Sequence, residues 1–588
     1  MKLSFSVHDQ EQIKVYADRI EPEIAQFFSD EFNLKFQENI LLIGYPQFMR
    51  KYNVINSFLY HRNIQLHASE EFHELINVSP KYKSACDAVA VSENQILETL
   101  TSHGFKRSPT ENQLKNLTKL CSLKACASFS VPGAGKTTEA LAFHAFHKRN
   151  ISSKLLVISP INAFTSWDDE YAECYEVEET FTRLRGSTDQ IKSMLADDDQ
   201  FNIINYDALR SNEKFNLIKD LILHNPDITV ILDESHKSKG ESISQILGQL
   251  SPYIPFKLIL TGTPMPQAPS DLRAQFGFLY PHEFIQLDNE LLQKFEPLYV
   301  RTTKGNLGLM PPKYTFHKVS PRPTFEYFYN EYIEKPLANG TELEEIFAIR
   351  SFKKAVLKLL KLLSNPVSCI DDIIRIDPSL LTKIMDEGNG AKIDAVIDRT
   401  NQLINSGEKV IIWSSFIINV ESLASQFTDK AVFIHGGVKS GSGEDEELGA
   451  LDTRESKIKR FKEDPGCMVL IANPAAAAES ISLHKHCNYA LYLDRTYNAG
   501  QFLQSQDRIH RYIRKELEVQ KYIEIFSLDI PNCVDEKVHK ALNRKIDNMA
   551  CFLSDPSLMS LQGFDFDLDS AQNEALVDSV DIDEFYSR

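Results

Sequence analysis

The sequence has few of the features that mark metal-binding, membrane or secreted proteins. Its nine cysteines include no C-x-x-C pair, and the nearest two, Cys121 and Cys126, are spaced as buried thiols rather than as zinc ligands. No apolar run reaches the roughly eighteen residues needed to cross a bilayer, and residues 1–21 turn polar too soon for a secretion signal. We therefore expect a reducing, cytoplasmic location.

The sequence also has too few basic residues for a protein that coats nucleic acid by bulk attraction. Lys and Arg number 64 against 82 Asp and Glu, which gives a formal net charge of −18 over 588 residues. Any binding to nucleic acid must therefore come from a local basic surface. With 43% hydrophobic residues, the chain has the composition of a globular protein with room for more than one core.

Short apolar runs alternate with helical stretches in two parts of the chain. The runs "ACASFS", "LLVISP", "FNIINY", "ITVILDES" and "FKLILTGTP" fall within residues 101–310, and a second series with "KVIIWSSF", "AVFIHGG" and "CMVLIANP" falls within 389–550. Such alternation is typical of βαβ units on a buried parallel sheet, so we predict an α/β fold with two tandem domains. The remaining parts are predicted to be an N-terminal α+β accessory domain (1–100), a helical linker or insertion with solvated Lys- and Arg-rich faces (311–388) and an acidic tail (551–588).

The stretch "SFSVPGAGKTTEALAFHAF", residues 128–146, follows a predicted strand and opens a predicted helix. Backbone N–H groups of a Gly-rich turn at such a place can point at phosphate oxygens, and a lysine with a following hydroxyl can meet the phosphates and Mg²⁺. The strict G-x-x-x-x-G-K-[ST] pattern has a glycine where this sequence has Ser130, and the alternative interpretation is a chance Gly-rich turn. The predicted ligand-binding residues are Gly133, Ala134, Gly135, Lys136, Thr137 and Thr138.

An acidic pair ends another predicted strand, in "ITVILDESHKSKG". The carboxyl end of a parallel strand is where such sheets bind ligands. Asp233 can there hold Mg²⁺, and Glu234 can orient and deprotonate an attacking water. An acidic pair after a strand can also be a solvated turn or a helix cap, but the phosphate-binding loop in the same domain favours the catalytic interpretation.

Eight segments then follow one another in a recognisable order. They are "GAGKT", "LLVISPINAFTSWDDE", "IINYDALR", "ILDESHKSKG", "ILTGTPMPQAPSDLRAQFGFLYP", "KVIIWSSF", "FIHGG" and "QSQDRIHRYIR", and their order and spacing resemble the motifs of helicase superfamily two. With "RTTKGNLGLMPPK" and the pair Asn365 and Pro366, the series more closely resembles the SWI/SNF-like ATPases. The resemblance covers roughly residues 105–545. It implies two RecA-like domains with ATP in the cleft between them.

The resemblance also gives roles to single residues of the first domain. It implies that Gln113 reads the adenine base and that His236, in the DEAH-like segment, couples hydrolysis to motion. As a bare residue, His236 could equally be a satisfied core histidine. A further segment, which the resemblance places between the nucleotide cleft and the nucleic-acid surface, consists of Thr261, Gly262 and Thr263.

In the second domain the resemblance implies catalytic roles for the last motif, "QFLQSQDRIHRYIR", at Gln504, Arg508 and Arg511. Because Arg508 and Arg511 lie one helical turn apart, we expect them to share a helix face. Both could then reach the γ-phosphate and neutralise charge in the transition state when the domains close.

The chain departs from the family in two places. Ala475 to Ala478 replace glycines of a motif that in the family contacts both the nucleic acid and the nucleotide cleft. Because alanine favours helix over positive φ, we expect this loop to be stiffer or to begin a helix early. The chain also has no recognisable chromatin-reading or zinc module, which favours a prokaryotic or phage-linked branch and, there, a nucleoid-associated location.

The resemblance implies a DNA-dependent ATPase that uses ATP and Mg²⁺ to move along double-stranded DNA or to remodel protein–DNA complexes. The candidates for its nucleic-acid contacts are Pro160, Tyr206, Ser414, Ser415 and Ser482. Two alternatives stay open. One is a strand-separating DNA or RNA helicase, and the other is a nucleotide-gated scaffold subunit, for example of an antiviral defence complex. A protein partner would dock on residues 1–100 or on the acidic tail.

The end of the chain, "GFDFDLDSAQNEALVDSVDIDEFYSR", alternates acids with apolar residues and has almost no basic balance. Such a composition is most often a solvated tail. The alternative is a partner-docking or DNA-mimicking segment that lies in the cleft and restrains the enzyme.

Overall fold

The structure of the chain is a computed structural model. The described residues are 2–9, 11–150, 152–177, 180–283, 285, 287–438, 453–477, 482–512, 519–531 and 533–561. The chain divides into two compact units, Met1–Met265 with Pro269–Thr303 and Pro266–Ala268 with Lys304–Arg588. The loop expected at "KSGSGEDEELGALD" and residues 562–588 of the predicted acidic tail lie outside the described residues. Among the described helices, none is both long and apolar enough to span a bilayer.

The first unit begins with a mixed four-stranded sheet. β1 pairs with β2 and β2 with β3 in antiparallel fashion, and β1 pairs with β4 in parallel. Apolar side chains alternate along the strands, and Phe5 of the buried face packs against Phe48 and Phe72 from two of the helices. The strands, in the spatial order β3-β2-β1-β4, are β1 (Lys2–Asp9), β2 (Gln12–Ala17), β3 (Ile40–Gly44) and β4 (Gln65–Ala68). The helices are Pro22–Phe32, Tyr45–Arg50, Tyr52–His61 and Glu70–Val78.

The sequence predicts that the first lobe begins at residue 101, but in the structure the lobe begins earlier. After a short helix, Tyr82–Cys86, the helix Glu93–Ser102 places Ile96 and Leu100 in one buried cluster with Leu141. Side chains at i and i+4 share a helix face, so this helix belongs to the core of the first lobe. A break at residue 100 would cut through that helix.

The N-terminal domain packs onto the first lobe through buried contacts. The rings of Tyr45 and Tyr253 lie 5.0 Å apart. The fully buried Lys257 Nζ donates to Ser79 Oγ at 3.2 Å and to Ser251 Oγ at 2.8 Å. Burial lowers the pKa of Lys257 well below its ordinary value, so these oxygens take the place of water around its amine. The domain and the lobe therefore share an interior.

The first lobe is a seven-stranded sheet whose pairings among the described residues are all parallel. Its central strands are buried on both faces, which explains the apolar runs in the sequence. The strands, in the order β11-β5-β10-β9-β6-β8-β7, are β5 (Ala125–Ser128), β6 (Leu155–Ile158), β7 (Thr182–Arg183), β8 (Phe201–Ile204), β9 (Thr229–Asp233), β10 (Phe256–Leu260) and β11 (Tyr299–Val300). The helices are Glu111–Leu120, Lys136–His147, Phe164–Tyr175, Thr188–Ala196, Asn212–Leu223, Glu241–Leu250, Leu272–Leu279 and Asp288–Phe295.

The second unit contains a six-stranded parallel sheet, so the predicted α/β fold with two tandem RecA-like domains is confirmed. Residues 311–388 are not only a helical linker, because β12 (Lys313–Val319) forms one edge of this sheet beside β17 (Tyr522–Leu528). The other strands, in the order β12-β17-β16-β13-β15-β14, are β13 (Val410–Trp413), β14 (Ala431–Ile434), β15 (Val469–Ala472) and β16 (Tyr489–Tyr492). The α-helices are Pro323–Tyr329, Lys335–Ala338, Leu343–Phe347, Phe352–Ser364, Ile370–Ile376, Pro378–Asp386, Ala391–Asn405, Ile417–Phe427, Arg454–Glu463, Pro474–Ala477, Ala499–Gln506 and Val534–Leu553.

A buried ion pair holds two helices of the second unit together. Lys392 Nζ lies 2.8 Å from Asp535 Oδ2, and the two side chains are 0% and 7% exposed. The same carboxylate oxygen accepts the Leu528 N–H at 3.2 Å, at the end of β17. Removal of either side chain would leave the other, a mostly buried charge, without its ion-pair partner.

We predict that Asp535→Ala lowers the free energy of unfolding of the second unit by about 3–5 kcal/mol, because it leaves the Lys392 charge buried and unpaired. Urea unfolding followed by tryptophan fluorescence measures this, since Trp413 lies in the core of the second unit. The control is Asp529→Ala, which removes the exposed partner of Lys318 and should cost less than about 1 kcal/mol. Equal effects of the two substitutions would contradict the prediction.

Candidate nucleotide-binding site

The predicted phosphate-binding loop connects β5 to the helix Lys136–His147. Gly133 and Gly135 have positive φ angles of +87° and +84°, and Gly135 is the residue just before the helix. Glycine adopts such angles without strain, so the two glycines turn the chain into the helix N-terminus, where N–H groups and the helix dipole favour an anion. The Lys136 ammonium reaches back across the loop and donates to the Ser130 carbonyl oxygen at 2.8 Å. Ala134 is buried, and Thr137 is half-buried.

Ser130, which stands where the strict pattern has glycine, is fully buried. Its hydroxyl oxygen accepts the Thr302 N–H at 3.0 Å, and the Ser128 hydroxyl lies 3.3 Å away. A glycine would leave the Thr302 N–H without this acceptor, and a buried N–H without an acceptor is costly. The serine therefore joins the loop to the chain that follows β11.

A buried polar network continues from Ser128. Glu139 accepts hydrogen bonds from Ser128 Oγ at 2.8 Å and from Asn116 Nδ2 at 2.7 Å. Asn116 Nδ2 also donates to Thr302 Oγ1 at 2.9 Å, so the network closes on itself. Burial raises the pKa of Glu139 to about 7, although the two hydrogen bonds and the nearby charge of Lys136 act in the opposite direction.

Gln113, the predicted adenine reader, lies against the loop. Its Nε2 donates to the Gly135 carbonyl oxygen at 3.3 Å, and its Oε1 accepts the Thr110 N–H at 2.8 Å in a capping box. A Cβ atom at Gly135 would lie 2.1 Å from Gln113 Nε2, so a side chain there would displace the Gln113 amide, and the positive φ angle itself favours glycine. Beside it, the buried Thr138 donates to Glu170, which Arg107 contacts at 2.8 Å. The structure thus brings Gln113 and the predicted loop residues together.

Asp233 ends β9 with a carboxylate that neighbouring groups hold in place. Its Oδ2 accepts from Trp167 Nε1 at 2.9 Å and from Ser159 Oγ at 3.0 Å, and its Oδ1 accepts the Glu234 N–H at 2.9 Å. Burial and the Glu234 carboxylate raise the pKa of Asp233, while the first two hydrogen bonds and the Lys136 charge counteract that rise. Because its surroundings destabilise the charged form of Asp233, a cation bound beside this carboxylate would stabilise that form.

Glu234, His236 and Thr261 lie in one row. Glu234 adopts the left-handed region with φ +48°, and its Oε2 lies 3.4 Å from His236 Nδ1. The same nitrogen lies 3.0 Å from Thr261 Oγ1, which accepts the Thr263 N–H at 3.1 Å. Such strain in a residue other than glycine persists only where the surroundings fix it, and it is concentrated at functional sites.

Gly262 lies against the phosphate-binding loop. A Cβ atom at this position would approach Pro132 Cδ to 3.1 Å, so a side chain here would press on the loop. The segment Thr261–Thr263 therefore touches the loop on one side and His236 on the other.

In the second unit, the expectation that Arg508 and Arg511 share a helix face is wrong. The helix ends at Gln506, because Asp507 begins a turn and both arginines follow it. Each arginine instead uses its Nε to bond a carbonyl oxygen four residues back, from Arg508 to Gln504 at 3.0 Å and from Arg511 to Asp507 at 3.1 Å. Their catalytic roles and that of Gln504 stay predictions.

Two of the predicted nucleic-acid contacts are buried side chains. Tyr206 donates to the Asp233 carbonyl oxygen at 2.8 Å, and Ser414 Oγ donates to Asp494 Oδ2 at 2.5 Å. Both hydroxyls are thus committed to the protein interior, which argues against direct contact with a phosphate. Pro160, Ser415 and Ser482 are half-buried, and for them the prediction stands untested.

The alanine-rich segment begins a helix early, as expected from helix propensity. The helix Pro474–Ala477 starts directly after the strand β15. Asn473 precedes it, and its side-chain oxygen accepts the Ala475 N–H at 2.9 Å, which is the usual capping of a helix start. Ala478 lies outside the described residues.

Several groups that build the site receive no role from the sequence, although some of them lie inside its motif segments. Trp167 and Ser159 hold the Asp233 carboxylate, and Trp167 is one of two tryptophans in the chain, which was the available signal. The buried network consists of Asn116, Ser128, Glu139 and Thr302. Ser128 and Glu139 flank the phosphate-binding loop in sequence, whereas Asn116 and Thr302 are distant from it, so no local pattern marks the whole network.

Comparison with known proteins finds a family match for part of the chain. Residues 127–361 match the model of the SNF2-related domain. A Mycoplasma pneumoniae protein described as an uncharacterized ATP-dependent helicase is 24% identical over 434 residues, which cover 69% of this chain and 38% of that protein. The rat chromodomain-helicase-DNA-binding protein 6 is 22% identical over 531 residues, which cover 81% of this chain and 18% of that protein.

The chain is similar to the SWI/SNF-like ATPases of helicase superfamily two, as its motifs predict, and the match to the SNF2-related domain lies in residues 127–361. It spans well under half the length of these two relatives. The Sulfolobus solfataricus SWI2/SNF2 ATPase core in complex with dsDNA covers 78% of this chain and 96% of its own, at 16% identity and a TM-score of 0.32. That score is too low for its arrangement to be transferred to this chain.

We predict that Ser130→Gly, which restores the strict loop pattern, lowers the free energy of unfolding of the first unit by about 1–3 kcal/mol, because the Thr302 N–H loses its acceptor. It should not tighten nucleotide binding. Urea unfolding and titration with a fluorescent ATP analogue measure the two effects.

Ser130→Ala is the matched control, since it removes the hydroxyl without adding backbone freedom. A Ser130→Gly variant that is as stable as the wild type and binds nucleotide more tightly would show that the serine is only a tolerated departure.

Proposed function

We propose that this chain is an ATP hydrolase that moves along double-stranded DNA and thereby displaces or remodels bound protein. The observation that carries the proposal is the set of groups at the carboxyl end of the first sheet, where the loop lysine, Lys136, acts electrostatically on Asp233. A row from Glu234 through His236 to Thr261 leads away from the same place. A buried carboxylate next to a glutamate with a strained backbone conformation is typical of a functional site.

The residues of the first unit fit the substrate and its metal. Backbone N–H groups around Gly133 and Gly135 would cradle the phosphates, and the Lys136 ammonium would leave the Ser130 carbonyl to meet the β and γ phosphates. Thr137 Oγ1 and the Asp233 carboxylate are hard oxygen ligands of the kind that Mg²⁺ prefers, so they would hold it. The bound metal would neutralise part of the phosphate charge.

Glu234 is the group that would orient the attacking water and take its proton. The hydrogen bond from its own N–H to Asp233 Oδ1 and the contact of its carboxylate with His236 fix it on two sides. A shift of His236 would move Thr261 as well, because the two side chains are in contact at 3.0 Å. This row is a route by which hydrolysis can move the segment Thr261–Thr263. Arg508 and Arg511 would supply the charge that stabilises the transition state.

DNA as the track is supported by the relatives, whose names include an ATP-dependent helicase and a helicase that binds DNA. The preference for a duplex without strand separation rests on the SWI/SNF-like motif series. Such motors grip phosphates, which carry little sequence information. Of the predicted contacts, Pro160, Ser415 and Ser482 remain candidates for that grip.

We predict that duplex DNA stimulates ATP hydrolysis by the full chain more than single-stranded DNA or RNA does. Glu234→Gln should lower kcat by about 10²–10⁴-fold with nucleotide still bound, because the water loses its base. Lys136→Ala should weaken nucleotide binding as well. Phosphate release measured with each polymer, together with binding of a fluorescent ATP analogue, separates the two effects.

Glu241→Gln and Lys192→Ala are matched controls at exposed positions of the same lobe and should leave kcat and nucleotide binding unchanged. Stronger stimulation by single strands or RNA would move the assignment to a strand-separating helicase. Nucleotide binding without hydrolysis under any condition would favour the scaffold alternative.

We also predict that affinity for duplex DNA falls steeply with salt and hardly changes with sequence. A protein that neutralises Z phosphates shows a log–log slope of roughly −0.9Z, so contacts to six phosphates would give a slope of about −5. Gel-shift titrations over a series of salt concentrations measure it, with two unrelated duplexes of equal length as the comparison. A flat response would contradict phosphate tracking.

A further inference from the structure

The chain passes from the first unit to the second between Thr303 and Lys304. We call residues 304–314, the first of the second unit, the connector. Lys304 Nζ lies 2.6 Å from Asp507 Oδ1, and the two side chains are 16% and 6% exposed. Lys304, the first residue of the second unit, is therefore paired with Asp507, which directly follows the helix Ala499–Gln506.

His510 is held by the connector at both ring nitrogens. Its Nε2 lies 2.8 Å from the Met310 carbonyl oxygen, so Nε2 carries the proton and donates. Its Nδ1 is then an acceptor for the Lys304 ammonium at 3.2 Å. Burial, together with the Lys304 charge, lowers the pKa of His510 to about 4, which keeps the ring neutral and keeps this acceptor available at neutral pH.

The connector makes a third contact with the same segment and is itself folded. The Tyr314 hydroxyl donates to Gln506 Oε1 at 2.9 Å. The Gly308 N–H bonds the Gly305 carbonyl oxygen at 3.0 Å, and the Leu309 N–H bonds that of Lys304 at 3.1 Å, with Gly308 at φ +74°. Because the connector is a closed turn rather than an open loop, it can hold its partners at fixed positions.

The residues that contact the connector alternate along the sequence with the two arginines. Asp507 immediately precedes Arg508, and its carbonyl oxygen accepts Arg511 Nε at 3.1 Å. His510 immediately precedes Arg511. The helix ends at Gln506, and backbone hydrogen bonds from Arg508, Ile509 and His510 back to Ser505 and Gln506 close the turn that follows. The contacts from Lys304, Met310 and Tyr314 add partners from the connector to these backbone bonds.

We propose that Lys304 is a positioning residue for Arg508 and Arg511, and that the connector links their placement to the point where the chain crosses between the units. The inference rests on the proposed ATP hydrolysis for its kinetic consequence, but not for its structural one. Movement of the crossing point is passed to the arginine turn through a mostly buried ion pair. Lys304 does not itself touch the substrate.

The test uses the full chain with Lys304→Met and Asp507→Asn, separately and together. We expect kcat of the DNA-stimulated reaction to fall by about 10- to 100-fold, since misplacement of a charge-stabilising group by an ångström has that order of effect. The KM for ATP should stay within about twofold, because the nucleotide is held by the first unit. The double variant should be no worse than either single one, and Lys304→Arg should keep most of the activity.

Lys318→Met is the matched control, because it removes an exposed lysine charge from β12 in the same unit. Hydrogen–deuterium exchange of peptides spanning residues 503–512 is the second measurement and needs no ATP hydrolysis. The amides of Arg508 and His510, which bond the Ser505 and Gln506 carbonyl oxygens, should exchange faster in Lys304→Met than in Lys318→Met.

Unchanged kcat and unchanged exchange in folded Lys304→Met would overturn the inference. Additive losses in the double variant, or a loss of nucleotide affinity equal to the loss of kcat, would also overturn it. If Lys304→Met fails to fold, Asp507→Asn and Lys304→Arg decide by the same criteria. Faster exchange in a chain whose wild type hydrolyses no ATP would uphold the structural link and refute the proposed function instead.

Discussion

The first unit depends on one constraint: a carboxylate at the end of a buried strand has to be held by hydrogen-bond donors that replace the water it has lost. Asp233 meets it by accepting three hydrogen bonds, from Trp167, Ser159 and the Glu234 backbone. Lys136 is near enough to lower its pKa and also donates to the Ser130 carbonyl oxygen. These hydrogen bonds and the Lys136 charge oppose the rise in pKa that burial causes, and they fix the direction in which the carboxylate points.

The second unit meets a similar constraint with different residues. Asp494, which follows β16, is buried, and it accepts from Ser414 Oγ and from the Ser415 N–H at 2.6 Å. Asn419 Nδ2 lies 3.3 Å from the same carboxylate and bonds Ser364 Oγ at 2.9 Å, which brings in the helix Phe352–Ser364. Burial raises the pKa of Asp494, although its hydrogen bonds oppose the rise. Hence the helical segment is joined to the second sheet through polar groups as well as apolar ones.

The sequence predicted those parts of the structure that local physics determines. Gly133 and Gly135 were predictable because a turn into a helix N-terminus needs positive φ, and Asp233 was predictable because it ends an apolar run. The two parallel sheets followed from their buried strands. What could not be predicted depends on contacts between distant residues, such as Asn116 with Thr302 and β12 with β17. The end of the helix at Gln506 could not be predicted for the same reason, because the turn after it is in contact with the distant connector.

The position of the helix Glu93–Ser102 has a consequence for how such a chain can be inherited. Ile96 and Leu100 complete the core of the first lobe, and Lys257 of that lobe reaches into the N-terminal domain to bond Ser79. Neither part presents a finished surface to the other, so neither can be exchanged for an unrelated module by a simple cut at the apparent boundary. In this protein the first lobe and the domain before it share one interior, so a recombination that separated them would have to rebuild that interior.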